Sequence, residues 1–327
     1  MQKGLVKRRK LIEAAALILL FIAAIMLSTS HRYQGAVTDG IKLWAAAVLP
    51  ALFPYLIITF LVSSLKITGD IANALSPVTK KLFNVSGAVG YALFISLMSG
   101  YPVGAKTVSD LKIKGVLSDA ESVRAAALCS SSSPMFLIGS IGNLTFNSPL
   151  FGFLLFVTHI ISVFIVGFVF SFYKRSEEPL MSAANFSASS DNLLYDGVYS
   201  AVISVLVVGG IITVFYLLTE LLTGIGVFGF ASNLITAAIP DVNLADGIIT
   251  GFFECTKGLK IIATGGISVL TLPVAAAICG FGGVSVIMQS VAYLKKAKIK
   301  IAPFFLAKIL AAIINFCIGI ILSAVFL

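Results

Sequence analysis

The segment CSSSSP, residues 129–134, interrupts an apolar stretch that runs from residue 120 to residue 143. Four consecutive serines and a proline weaken a helix, because serine side chains compete for backbone hydrogen bonds and proline has no N–H to donate. Ser133 is expected to cap a second helix that begins at Pro134. The stretch is therefore predicted to be two helical pieces, separated by an unwound segment whose hydroxyls compensate the freed backbone groups.

The composition is that of a membrane protein. Of the 327 residues, 58% are hydrophobic and only 11% are charged, whereas a soluble domain carries about 25% charged residues. The alternating ten-residue segments of a transmembrane barrel are absent. The net charge of +9 comes from short basic stretches beside apolar runs, which is typical of cytoplasmic loops and not of a nucleic-acid surface. The four cysteines show no C-x-x-C spacing, so neither a metal site nor a disulfide framework is expected.

Apolar segments long enough to cross a bilayer, about 20 residues, recur along the chain. The first, 11–28, follows the basic stretch KRRK. We interpret it as a retained transmembrane helix rather than a signal peptide, because no A-x-A site precedes His31. The others lie at 41–64, 86–112, 120–143, 149–173, 198–222, 244–263, 267–293 and 301–326. The predicted fold class is an all-α polytopic membrane protein.

Two of these segments are predicted to be re-entrant hairpins. The segment 86–112 is interrupted by SGYPVG at 99–104, which leaves a first half too short to cross alone. A full crossing would also place Lys112 and Lys114 outside, against the rule that basic loops stay inside. A hairpin that enters and leaves on the inner side keeps both lysines inside. The segment 244–263, interrupted by ECTKG, is interpreted as a second hairpin that dips in from outside.

These assignments divide the chain into two halves of the same order. Residues 1–40 form a basic N-terminal segment and the first transmembrane helix, 41–173 a first repeat, 174–197 a cytoplasmic linker, and 198–327 a second repeat. Each repeat makes an odd number of crossings, so the second is predicted to be inverted, and the N-terminus is placed in the cytoplasm. The four interruptions, SGYPVG, CSSSSP, FECTKG and CGFGGVS, are expected to meet near the bilayer midplane, as in secondary transporters.

The interruptions supply the candidate substrate-binding residues. A helix that begins at Pro134 directs its positive N-terminal end at the break, which favours an anion. Glycines allow the backbone to approach a ligand, although close helix packing is the alternative for any single serine or glycine. The set predicted to bind substrate is Gly100, Tyr101, Pro102, Gly104, Lys106, Ser130, Ser131, Ser132, Ser133, Glu254, Thr256, Lys257, Gly282, Gly283, Ser285 and Gln289.

Three ionisable residues near the hairpin tips are the sharpest candidates, because charged groups at membrane depth usually face a cavity or a partner. Lys106 is expected to pair with a substrate anion. Glu254 and Lys257 form a buried ion pair in one interpretation; in another, Glu254 carries a coupling proton or helps to bind Na⁺. Coupling to H⁺ or Na⁺ is left open, and neither a catalytic residue nor a bound metal or cofactor is predicted.

Three motifs in this order resemble the sporulation integral membrane proteins of the YlbJ type: LPALFPYLI at 49–57, SGYPVGAK at 99–106 and SSSSPMFLIGSIG at 130–142. That family carries the nucleoside-recognition, or Gate, domain. The resemblance runs from about Trp44 to the end of the chain. It implies passage of a small metabolite through a membrane, and for the YlbJ type it implies transport of dipicolinate across the outer forespore membrane during sporulation.

The expected function is transport of a small anionic metabolite by a protein embedded in the lipid bilayer, either alone or as a homo-oligomer. Transport of a nucleoside or nucleobase is the first alternative. A non-transporting gate or assembly subunit of a membrane complex is the second. An intramembrane hydrolase with a serine and Lys106 is a further alternative, although no G-x-S-x-G motif supports it.

Overall fold

A computed structural model describes residues 30–64, 67–176 and 192–327. The predicted first helix at 11–28 and most of the predicted linker lie outside these ranges. Within them every regular element is helical. The α-helices are α1 Ser30–Leu43, α2 Leu49–Ser64, α3 Ile67–Phe83, α4 Gly87–Ser99, α5 Val103–Ile113, α6 Asp119–Leu128, α7 Pro149–Phe170, α8 Leu193–Gly224, α9 Val227–Thr236, α10 Val242–Phe253, α11 Cys255–Thr264, α12 Thr271–Phe281, α13 Gly283–Lys296 and α14 Ile301–Phe326, with π-helices at Trp44–Val48 and Met135–Thr145.

The polytopic membrane fold is confirmed by helices that are long and apolar enough to cross a bilayer. In the described ranges five qualify: Tyr33–Val62, Pro149–Phe170, Leu193–Gly224, Thr271–Lys296 and Ile301–Phe326. A sixth would be the pair Thr68–Phe83 and Gly87–Ser99, which is bent by 95°. Outward-facing side chains on these helices are large and apolar, such as Phe168 and Ile321, as lipid contact requires.

Each predicted interruption is a helix break in the structure. The first lies at Gly100–Pro102 between α4 and α5, and the second at Cys129–Ser133 after α6. The third is Glu254 between α10 and α11, and the fourth is Gly282 between α12 and α13. Gly100 and Gly282 have φ angles of 77° and 84°, a left-handed conformation that glycine adopts without steric cost. The local sequence therefore determines where the helices stop.

The two hairpins open toward opposite ends of the molecule. At the mouth of the first, α4–α5, the Ser86 N–H donates to Glu121 Oε1 at 2.8 Å and Lys112 pairs with Asp119 at 2.6 Å. That mouth lies beside Lys300, at the start of α14.

At the mouth of the second hairpin, α10–α11, the Thr264 hydroxyl donates to Asn243 Oδ1 at 3.2 Å. The loop that follows, at Val269, accepts a hydrogen bond from Ser323 Oγ at 2.7 Å, near the other end of α14. The mouths are thus separated by most of the 26-residue helix α14, which is about 39 Å long. Inverted halves would give this arrangement, and the repeat itself stays a prediction.

One boundary differs from the sequence predictions, and one helical piece differs in type. The helix predicted to begin at residue 41 is part of a helical stretch that already includes Ser30, so the predicted boundary at residue 40 falls inside it. The span predicted at 120–143 is α6 followed, after the break, by the π-helix Met135–Thr145, and its wider turns carry no signal in hydropathy. The basic stretches at Lys112, Lys174 and Lys300 come together at one end, as predicted for one membrane face.

Candidate functional site

The four breaks meet around one small cavity, here called the central pocket, with a volume of about 40 Å³. It lies between the two hairpin tips, and two apolar helices, α2 and α8, close its sides. Three breaks line it: the first through Gly100 and Tyr101, the second through Ser132 and Ser133, and the third through Glu254. The fourth break, Gly282, does not line it, but the helix that follows contributes Gln289. Residues 150 positions apart in sequence are thus brought to one point. The volume is enough for roughly three water molecules.

Tyr101 connects the first hairpin to two other breaks. Its hydroxyl donates to the carbonyl of Cys279 at 3.1 Å, next to the fourth break, and accepts a hydrogen bond from Ser132 Oγ in the second. Ser96, one turn before the tip, donates to the carbonyl of Cys129 at 2.7 Å. Side chains of the first hairpin therefore satisfy the carbonyls that two interrupted helices leave free, as a nonaqueous environment demands.

The second break is held in place from behind by His159 of α7. The Ser132 N–H donates to His159 Nε2 at 2.8 Å, so this nitrogen is unprotonated and the ring is neutral. Ser133 Oγ accepts the Phe136 N–H at 3.2 Å, which confirms the predicted helix cap. The neutral hydroxyl leaves the positive end of that helix without a compensating charge.

Lys308 is a candidate functional residue that the sequence analysis did not predict. It lies in α14, a segment predicted to be an uninterrupted span, and its side chain is 1% exposed. Its Nζ donates to Ser130 Oγ at 3.3 Å and lies 4.9 Å from the centre of the Tyr101 ring. Among the described residues no carboxylate forms an ion pair with it. A lysine in the middle of IAPFFLAKILAAIIN is itself the signal, because ionisable groups in spans are usually functional.

Glu254 and Lys257 do not form the ion pair that one interpretation predicted. Glu254 Oε2 instead accepts the backbone N–H of Lys257 at 2.6 Å and caps α11. The ammonium of Lys257 turns toward α8, where it donates to Thr219 Oγ1 at 2.7 Å and lies 3.9 Å from Glu220 Oε2. The pair was predicted from proximity in sequence, but a capping carboxylate must point back along its own helix. Glu254 therefore lines the central pocket, and Lys257 does not.

Two predicted residues of α13 bring unsatisfied polar atoms to the site. Gln289 Nε2 and Ser285 Oγ are buried and have no hydrogen-bond partner in the structure, and Gln289 lines the central pocket. A buried polar group without a partner costs about 1–3 kcal/mol. The amide of Gln289 is thus available to a ligand that accepts hydrogen bonds.

Lys106 lies in a neighbouring space, here called the side cavity, with a volume of about 210 Å³. The prediction put Lys106 at the hairpin tip, but α5 turns its side chain away from the break. Leu52 and Val208 line both spaces, so the side cavity and the central pocket adjoin. The polar residues of the side cavity are Thr59, Tyr91, Lys106, Thr107, Asp110, Lys114, Ser200, Ser204 and Tyr293.

Some predicted residues serve the packing of the breaks. A side chain at Gly104 would collide with the Cys129 carbonyl, and one at Gly283 would lie 3.0 Å from Cys255 N. Ser131 Oγ donates to the carbonyl of Ser132 at 3.0 Å. Of the predicted set, Gly100, Tyr101, Ser132, Ser133, Glu254, Thr256 and Gln289 line the central pocket, and Pro102 and Lys106 line the side cavity. The remainder, Gly104, Ser130, Ser131, Lys257, Gly282, Gly283 and Ser285, line neither.

The comparison with known proteins agrees with this architecture. The chain is 28% identical over 319 residues to the sporulation integral membrane protein YlbJ of Bacillus subtilis (strain 168), an alignment that covers 90% of this chain and 78% of that protein. The resemblance to the YlbJ type is confirmed. It extends through both hairpins and all four breaks, because nine tenths of the chain is aligned. No family model matches the chain, and no solved structure matches it significantly.

Proposed function

We propose that this chain transports a small organic anion across a membrane during sporulation. The leading candidate is dipicolinate, crossing the outer forespore membrane. The observation that carries the proposal is the meeting of the helix breaks around one small pocket, close to a fully buried lysine, Lys308. The sporulation context comes from the name of the similar Bacillus subtilis protein.

The breaks support transport because unwound backbone at membrane depth is tolerated only where it is buried in protein or lines a wet cavity. Each break removes regular helical hydrogen bonds. Helix packing alone does not require four breaks in one place. In secondary transporters the same feature creates the substrate site and allows the halves to move against each other. The inverted opening of the two hairpins fits such an alternation.

The positive charges near the first hairpin tip favour an anionic substrate. Lys106 and Lys308 flank the turn at Tyr101–Pro102, one in the side cavity and one behind the tyrosine ring. The N-terminal end of the helix after Ser133 also faces the pocket. A dicarboxylate offers one negative group to each lysine. Its acceptor oxygens also match the unsatisfied amide of Gln289.

The sizes of the two cavities indicate a route for the substrate. The side cavity, at about 210 Å³, has room for a small aromatic dicarboxylate, whereas the central pocket, at about 40 Å³, does not. The substrate therefore enters beside Lys106, and the central pocket must widen before it passes. Lys114, at the basic end, lines the side cavity, and we place that end in the cytoplasm by the charge rule.

Uptake into liposomes tests the proposal. Purified chain is reconstituted, and the entry of radiolabelled dipicolinate and of uridine is measured against protein-free vesicles. Saturable dipicolinate uptake that uridine does not inhibit is expected. Saturable uridine uptake alone would replace this proposal with nucleoside transport. Failure to move either solute, by protein that stays folded, would favour a gate or assembly subunit.

One contact favours a second candidate, an intramembrane hydrolase, because Lys308 Nζ lies 3.3 Å from Ser130 Oγ as in a Ser–Lys dyad. We favour transport, since Lys308 donates to this hydroxyl and no carboxylate or second base orients it among the described residues. A fluorophosphonate probe separates the two functions. Labelling that Ser130→Ala abolishes would establish the hydrolase, and no labelling is expected.

A further inference from the structure

A third cavity, distinct from the proposed transport route, lies at the basic end of the molecule. It has a volume of about 100 Å³ and is here called the basic cavity. Its walls come from the start of α6, the residues after α7 and the residues before α14. Three lysines line it, Lys174, Lys298 and Lys300, together with Tyr173 and Asp119.

The lysines are the unusual part of this cavity. Among the residues that the structure describes, the ammonium groups of Lys298 and Lys300 make no hydrogen bond and no ion pair. The one carboxylate present, Asp119, is bound by Lys112 at 2.6 Å. The hydrogen bond and charge of Lys112, and then the charges of Lys174 and Lys300, hold the pKa of Asp119 below its usual range. The cavity therefore keeps a net positive charge.

The backbone fixes this arrangement. Lys174 and Lys298 have φ angles of 45° and 57°, in the left-handed region where a glycine would be relaxed. A buried arginine, Arg124, donates from Nη1 to the carbonyl of Tyr173 at 2.9 Å and of Lys174 at 3.2 Å. One wall of the cavity is thus tied to α6. The N-terminal ends of α6 and α14 meet there and add partial positive charge.

The surroundings indicate which anion would bind. Phe168, in the last turn of α7, and Phe172, two residues after its end, are 51% and 53% exposed and pack edge to face, with ring centres 5.5 Å apart. Exposed aromatic side chains at the end of a spanning helix lie at the lipid boundary. The basic cavity starts at the next residue, Tyr173. A ligand with a phosphate and acyl chains would contact both surfaces at once.

We propose that the basic cavity binds the phosphate of an anionic phospholipid, such as phosphatidylglycerol, from the adjacent leaflet. Basic pockets between spanning helices on the cytoplasmic side recognise such headgroups. The volume suits one phosphate, and Lys298 and Lys300 supply the charge. The bound lipid would fix the mouth of the first hairpin to α14. This proposal is independent of the transported substrate.

Native mass spectrometry of the detergent-purified chain tests it. Phosphatidylglycerol and phosphatidylcholine with identical acyl chains are titrated, and bound lipids are counted. Wild-type protein is expected to prefer phosphatidylglycerol, and K298A/K300A to lower that affinity at least about tenfold. The matched control is K295A/K296A, which removes the same charge from neighbouring exposed lysines outside the cavity. K298R/K300R keeps the charge and is expected to keep the preference.

Three results would overturn the proposal. The first is equal binding of both lipids by the wild type. The second is an equal loss in K295A/K296A, which would mean that the charge acts diffusely. The third is a rise in thermal stability with inorganic phosphate that equals the rise with phosphatidylglycerol, which would assign the cavity to a soluble anion. Thermal unfolding of each variant verifies that it is folded.

Discussion

The two hairpin tips stabilise their helix breaks with opposite chemistry. At the first, a neutral turn of Gly100, Tyr101 and Pro102 sends a tyrosine hydroxyl to the carbonyl of Cys279. At the second, the single residue Glu254 ends one helix and caps the next with its carboxylate. A carboxylate at a helix N-terminus neutralises the end that would otherwise attract an anion. Under the proposed function, we therefore expect an anionic substrate to bind nearer the first hairpin, where Ser133 and Lys308 leave positive charge uncompensated.

Of the changes that test this difference between the tips, Lys308→Met is expected to reduce transport most. Loss of a buried cation that contacts the site should lower dipicolinate transport at least about 100-fold, while the amount of protein in the membrane stays normal. Transport is measured in liposomes. Lys260→Ala is the control, since Lys260 is an exposed lysine of the second hairpin. Equal losses in both variants would remove the special role of Lys308.

Tyr101→Phe is expected to be the next most harmful change. It removes the hydroxyl that serves Cys279 and Ser132, and an unsatisfied buried carbonyl costs about 1–3 kcal/mol. A lower unfolding temperature and roughly tenfold slower transport should follow. Tyr293→Phe, on the wall of the side cavity, provides the comparison. Wild-type behaviour of Tyr101→Phe would mean that the tips do not depend on each other.

Glu254 variants sharpen the comparison. Glu254→Ala removes a helix cap and should lower the free energy of unfolding by about 1 kcal/mol. Glu254→Gln keeps an acceptor for the Lys257 N–H and should lose less. Removal of the negative charge should also lower the KM for dipicolinate. A higher KM in Glu254→Gln would show instead that the carboxylate is needed for substrate or a coupling ion.

Lys106→Ala is expected to have a smaller effect, because the side chain lies in the side cavity and not at the breaks. The KM for dipicolinate should rise about fivefold with an unchanged maximal rate, and the difference should shrink at high salt. Initial rates at two salt concentrations measure this. Complete loss of transport would place Lys106 at the binding step itself, as the sequence alone suggested.

The smallest effect concerns the hairpin mouths. Lys112 holds the pKa of the exposed Asp119 below its usual range. The pair therefore stabilises the fold at pH values above about 4, the pKa of Asp119 in the unfolded chain. This stabilisation is lost as the pH falls through the lower pKa of Asp119 in the folded chain. Asp119→Asn should therefore lower the unfolding temperature slightly at pH 7, and by less at pH 3. Asn243→Ala, which removes an uncharged hydrogen bond at the second mouth, should act equally at both pH values.

Much of the fold could be predicted from sequence because the residues that end helices act locally. The segments around Gly100, Pro134 and Gly282 each combine several residues that disfavour helix, whereas the single prolines Pro54 and Pro77 lie inside helices, so the breaks could be located from the clusters. The partners of the breaks could not, since Tyr101 and Cys279 or Ser132 and His159 meet only in the folded chain. Lys106 was assigned to the tip from its position in sequence, which does not say which face of α5 it occupies. Lys308 was not predicted because a single lysine does not interrupt the apolar run 301–326.

Cysteine labelling tests most directly whether the hairpins enter from opposite faces. Cys317, the one exposed cysteine among the four described, is replaced by serine, and single cysteines are introduced at Lys114 and at Val242, beside the two mouths. A membrane-impermeant maleimide is then added to one side of sealed, uniformly oriented vesicles. Labelling of one position from each side is predicted, with a cysteine at Lys296 behaving like that at Lys114. Labelling of both mouths from the same side would contradict the account.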